Sequence, residues 1–161
     1  STIGRIETSA RNRADALGVL LDLAEAVVAE GHPDQAERIL ERALAEVIAG
    51  ARCGLSIERD LSDAVSQGAV LLARATGKAF WLDYLFDLHT VLEELFAPDL
   101  VRELPALVAR AHGPLDTATV RAYLRRLERR SPSYGEAEAE RYAQIRALAD
   151  AAEKLRHRPP P

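Results

Sequence analysis

The sequence predicts an all-α protein of about seven helices, arranged as stacked antiparallel hairpins in a short α-solenoid or an irregular bundle. Three observations predict it. Apolar residues recur at three- and four-residue spacing in almost every segment, the period of one helix face. Alternating β-branched runs, the mark of half-buried strands, do not occur. Glycines punctuate the apolar stretches where a helix would have to end, and a new apolar stretch follows within a few residues.

The elements follow in order. Residues 11–30 set Leu17, Leu20, Leu21, Ala24, Val27 and Val28 on one stripe, and Gly31 terminates them. Pro33 opens a second helix near its first position, where a missing N–H costs nothing. That helix runs to about Ala49 and buries Ala36, Ile39, Leu40, Ala43, Leu44 and Val47. A third covers about 60–76 with Leu61, Ala64, Val65, Ala69, Leu72 and Ala73 inward. A fourth covers about 79–96 and is apolar on two sides, with Trp81, Tyr84, Leu85 and Leu88 on one and Phe80, Leu82, Phe86, His89 and Leu92 on the other. Such a helix packs on two sides and belongs in the centre of its neighbours. A fifth, about 99–111, is expected to kink or split at Pro105, which removes a hydrogen bond and clashes with the preceding turn. Asp116 caps a sixth helix over 117–130. Ser133 and Glu136 form the spacing of a capping box for a seventh, about 135–156.

Residues 1–156 are therefore expected to form a single helical-repeat domain. His157 through Pro161, with three terminal prolines, is expected to be a flexible tail. The lack of Met and the opening at Ser1 suggest a piece of a longer chain. Arginine-dominated basic charge with abundant alanine points to a high-GC bacterial genome and a cytoplasmic setting, which a single cysteine permits.

Composition removes several function classes. One cysteine forms neither an internal disulfide nor a cysteine zinc cage. A formal charge of -4 argues against a surface that binds nucleic acid throughout. Apolar runs fall short of a membrane span. No cofactor motif is found: the histidines 32, 89, 112 and 157 are far apart, and Asp83, Asp87 and His89 do not share a face. Thr76-Gly77-Lys78 lacks the upstream glycine and the following Ser or Thr of a phosphate loop. Glu93 and Glu94 diverge by one helical step. Cys53 beside Arg52 has no histidine next to it in sequence, so a small loop residue is the simpler reading.

The helix–Gly–helix pattern repeats at Gly31, Gly77 and Gly113. The first hairpin resembles a tetratricopeptide repeat through Leu20, Leu23, Ala24, Val27, Gly31, Ala36, Leu40, Ala43 and Leu44. Leu20 stands at the opening aromatic position, Ala24 at the small glycine position, and no proline closes the repeat. Beyond residues 17–48 the likeness is confined to the glycines and a few apolar positions. A second likeness covers Leu71 to Arg130. Ala75-Thr76-Gly77-Lys78, Trp81-Leu82-Asp83-Tyr84-Leu85-Phe86, Leu104-Pro105 and Tyr123-Leu124-Arg125 together resemble the helical region that follows forkhead-associated domains in some bacterial signalling proteins. That resemblance implies an interaction or positioning segment. It transfers no phosphothreonine-binding residue, because the reading module is a β-sandwich.

These observations favour a non-catalytic scaffold that binds another protein or peptide in a signalling or regulatory setting. The candidate partner-binding residues are Trp81, Tyr84, Arg121, Arg125 and Arg129. Trp81 and Tyr84, with Phe80, are either core or the wall of a groove, and core is the more frequent fate of such a stripe. Arg121, Arg125 and Arg129 form one i, i+4 stripe with Arg126 and Arg130 beside it. Glu136, Glu138 and Glu140 are expected to neutralise it. The alternative function is a phospho-ligand or nucleic-acid binder that uses this Arg121–Arg130 face. Ser131, after two arginines and before Pro132, resembles a basophilic kinase site. An active site assembled only in three dimensions, for example around Tyr84, Asp87 and His89, is a third possibility.

Overall fold

The computed structural model describes residues 2–156, with side-chain surroundings for residues 11–154. The expected tail, 157–161, lies outside the described residues. Among the described residues the protein is all-α, with no strand. Seven helices follow one another: α1 (Thr2–Ala29), α2 (Pro33–Arg52), α3 (Arg59–Thr76), α4 (Ala79–Leu92), α5 (Pro98–Arg110), α6 (Thr117–Arg130) and α7 (Glu136–Arg156). A 3₁₀ turn at Ser131–Ser133 joins the last two. The chain divides into two compact units, Ser1–Thr76 and Gly77–Pro161.

In the first unit α1 and α2 form an antiparallel hairpin, and α3 packs on both. The hairpin turn is set by Gly31, whose φ of +88° lies in the left-handed region. Gly31 N–H donates to Val28 O (2.9 Å) and His32 N–H to Val27 O (2.9 Å), so two of the last carbonyls of α1 are satisfied. The unit's core is Leu17, Leu21, Ala24, Leu40, Leu44, Leu61, Val65 and Leu72. Gly68 of α3 sits where a Cβ would come within 3.3 Å of Leu21 and 3.4 Å of Leu44, so its missing side chain lets α3 lie close to the hairpin.

In the second unit α4 packs on α6 and α5, and α7 packs on α5 and α6. Helix α4 buries Trp81, Leu82, Tyr84, Leu85, Phe86, Leu88 and His89, as expected of a helix apolar on two sides. It ends earlier than expected, at Leu92 rather than near residue 96. Glu93 takes a left-handed conformation (φ 55°), and its N–H and that of Glu94 close the helix on Thr90 O and His89 O. The chain then turns so that Phe96 is fully buried against Phe86 and Tyr123.

Two further departures have local causes. Helix α5 runs unbroken through Pro105, so of the two expected outcomes, a kink or a split, the split does not occur. Leu100, Val101, Leu104 and Leu107 are buried on both sides of the proline, and that packing outweighs one lost hydrogen bond. The Ser133–Glu136 capping box does not form. Ser133 lies in the 3₁₀ turn and its hydroxyl donates to Arg130 O (2.7 Å). Helix α7 begins instead at Glu136, and Glu138 reaches back to accept from Gly135 N–H (3.3 Å). The expected cap of α6 is present: Asp116 Oδ1 accepts from Ala118 N–H (3.0 Å) and Thr119 N–H (3.4 Å).

Candidate functional site

Two surfaces stand out, one in each unit. The first lies on α1. Its inward stripe, Leu17, Leu21 and Ala24, is buried, but the helix carries a second apolar face. Val19 is 67% exposed and Leu23 51%, with exposed Ala16 and Ala26 on either side of them. Half-buried Leu20 continues this face into a groove of about 220 Å³, shared with Ala43, Glu46 and Val47 of α2, Leu61 of α3, and Arg13, Ala16 and Leu17 of α1. An amphipathic helix that met only its own core would be polar at Val19 and Leu23.

The second surface is α6. Its arginines do not meet Glu136, Glu138 or Glu140. Arg121 pairs with Glu153 of α7. Arg126 pairs with the Glu93 carboxylate, and Arg130 lies 4.0 Å from it and donates to Glu93 O (2.7 Å). Arg125 and Arg129 are exposed, and among the described residues neither forms an ion pair. The two arginines beside the stripe, Arg126 and Arg130, are thus a clamp on the α4–α5 connection, while the stripe itself is tied down only at Arg121.

That connection is held from several sides. Phe96 N–H donates to Tyr123 Oη (3.0 Å), and the Tyr123 hydroxyl donates to Glu94 O (2.9 Å). Arg141 of α7 donates to Phe96 O (2.9 Å). Burial pushes the Tyr123 hydroxyl far above its ordinary value, so it stays protonated and keeps both bonds. His89 stacks edge-on against Phe96, with ring centres 4.5 Å apart. Its Nδ1 faces Leu85 O at 2.8 Å, and since a carbonyl only accepts, the proton sits on Nδ1. Burial lowers the His89 pKa to about 4, so the ring is neutral near pH 7.

Trp81 and Tyr84 are buried, at 3% and 7% exposure, while Phe80 beside them is 63% exposed. Phe80 packs edge to face on Trp81 with ring centres 4.9 Å apart, and Trp81 lies tilted against Tyr84 at 5.7 Å. The α1 face was not among the candidate residues read from the sequence. Its signal was present, because Leu23 fell outside the inward stripe and entered only through the tetratricopeptide-like pattern.

Among the described residues no three His, Cys, Asp or Glu side chains converge on a point that could hold a metal ion. Asp83, half-buried, accepts from Asp116 N–H (2.9 Å), and desolvation raises its pKa against the pull of that bond. Cys53 is exposed at the end of α2. Among the described residues no helix is long and apolar enough to cross a membrane. No family model, curated protein or solved structure matches the chain.

Proposed function

We propose that this chain is a non-catalytic module that binds another protein, with the open face of α1 as its contact surface. The observation that carries this reading is the exposure of Val19 and Leu23 on a helix whose other apolar stripe is already buried. Leaving two large aliphatic side chains partly in water beside an apolar groove costs solubility and gains nothing in the isolated chain, whereas covering the half to two-thirds of each that is still exposed would contribute on the order of 1–2 kcal/mol per side chain. The tetratricopeptide-like spacing of residues 17–48 supports the same role, since the first helix of stacked hairpins commonly receives partner segments. A signalling or scaffold role in a bacterial cell is the setting that the second resemblance suggests.

Affinity capture from cells of the chain's source, with wild type and Leu23→Asp compared, tests it. The expected result is a reproducible partner that wild type retains and the variant loses, both proteins having the same helical circular dichroism. Retention by both would remove α1 from the contact. Reversal of Arg125 and Arg129 to Glu should leave capture intact. If that double variant instead lost a strongly salt-dependent binding to DNA, RNA or a phosphopeptide, the arginine face would be the functional surface.

A further inference from the structure

The exposed face of α1 has a regular spacing. Asn12, Ala16, Val19, Leu23, Ala26 and Glu30 alternate steps of four and three residues, and all six are exposed. That alternation is the seam along which one helix packs on another. Ala16 and Ala26 are small, so a second helix can come close on either side of Val19 and Leu23. The seam also opens sideways into the groove at Leu20, Ala43 and Val47. A partner helix satisfies its own N–H and C=O groups internally, which suits a face that offers no backbone groups of its own.

Charge then selects which helix. Asp15 and Asp22, seven residues apart and exposed, border the seam along one edge. On the α2 side, Glu46 is already paired with Arg42 at 3.1 Å. A second copy of α1 laid antiparallel would set Asp15 and Asp22 against the same two aspartates of its partner. Laid parallel, it would set them against Leu20 and Val27, with no countercharge. Both arrangements are poor, so the acidic edge is left for a foreign partner.

Resting on the interaction reading above, we propose that this seam receives an amphipathic helix of another protein, with an apolar 3-4 stripe bordered by Lys or Arg on the edge that meets Asp15 and Asp22. The probe is a labelled peptide of about three heptads with Leu and Ala at the seam positions and Arg along the border, beside a counterpart with Glu along the border. Both are titrated against the full chain by fluorescence anisotropy, with amide shifts mapped by NMR. The Arg peptide should bind about tenfold tighter or better at low salt, and added salt should narrow the gap. Shifts should fall on residues 12–30 and 39–47. Asp15→Lys with Asp22→Lys should reverse the preference, and Leu23→Asp should abolish binding of both peptides with helicity unchanged. Equal affinities, no binding of either peptide, or shifts away from α1 would overturn the proposal. So would self-association in sedimentation that Leu23→Asp removes, which would assign the seam to a second copy. If Leu23 is needed to capture a cellular partner but the Arg peptide holds no advantage, the interaction reading stands and the partner's chemistry alone falls.

Discussion

Glu93 occupies a backbone conformation that usually falls to glycine at a helix end, and it does so because its side chain and carbonyl are both in use. A non-glycine residue in the left-handed region costs on the order of 1 kcal/mol. Arg126 and Arg130 offset that cost by taking the Glu93 carboxylate and carbonyl oxygen. Two substitutions separate the contributions. Glu93→Ala loses the carboxylate and keeps the strain, whereas Glu93→Gly loses the carboxylate and relieves it. Chemical denaturation should therefore find Glu93→Gly more stable than Glu93→Ala by about 1 kcal/mol. Equal stabilities would mean that the left-handed turn is not strained. This stop was not legible in the sequence, where Glu93-Glu94 continues a good helix. Gly31 was legible, because a glycine after an apolar stripe needs no distant partner to end a helix. His89 supplies a second expectation. Its folded pKa of about 4 lies below the ordinary value of 6.5, so the unfolded chain takes up the proton first as pH falls. The stabilisation is fully present above about pH 6.5 and is lost as pH drops toward 4, by up to roughly 2–3 kcal/mol. Denaturation midpoints from pH 7 to pH 4 should fall more steeply for wild type than for His89→Gln, which keeps a donor for Leu85 O. Subtracting the two curves cancels Asp83, whose raised pKa acts with the opposite sign.

At the scale of the element, helix existence was readable and helix ends were readable only where the ending is local. Asp116 caps α6 as its sequence context requires, with both bonds made inside the first turn. The Ser133–Glu136 spacing was equally suggestive, yet the chain spends Ser133 on a 3₁₀ turn that brings α7 back onto α5 and α6. Nothing in the local pattern distinguishes the two cases; the packing of α7 through Ile145 and Ala149 does. Pro105 illustrates the same competition. It is exposed within a continuous α5, and the buried residues around it keep the helix intact although Val101 O loses its donor. Replacing it by Ala restores that donor on a face with room for it. Pro105→Ala should raise stability by about 1 kcal/mol, reduced in part by the greater freedom of the unfolded chain. A loss of stability on thermal melting would show that the proline fixes a bend that α5 needs. The candidate surfaces were legible to different degrees for the same reason. The arginines of α6 were visible as spacing, but the partners of Arg121 and Arg126, Glu153 and Glu93, are brought to them by the fold. The outer face of α1 was hidden by the strength of the inner one.

Across the whole molecule, the repeat glycines show how far a pattern in sequence carries. Gly31, Gly77 and Gly113 all adopt positive φ, at +88°, +69° and +108°, so each repeat position is a true break in helical backbone. They are not equivalent in surroundings. Gly31 has open space where a Cβ would be, whereas at Gly77 a Cβ would stand 2.8 Å from the His112 ring. There the backbone of Gly77–Lys78 lies beside that of His112, whose N–H donates to Gly77 O at 2.7 Å. Spacing alone cannot reveal this, because it joins positions 35 residues apart by a single backbone bond, 112 less 77. Gly77 is also where the chain passes from its first compact unit to its second. The last prediction follows from those two cores. Leu40 is fully buried in the first unit and Leu104 in the second. Truncating either to Ala should cost about 2–5 kcal/mol in the core that holds it. If each unit opens on its own, hydrogen exchange in Leu40→Ala should accelerate in residues 11–76 and stay near wild type beyond 77, and Leu104→Ala should do the reverse. A uniform acceleration along the chain in either variant would mean that the two cores open as one cooperative structure.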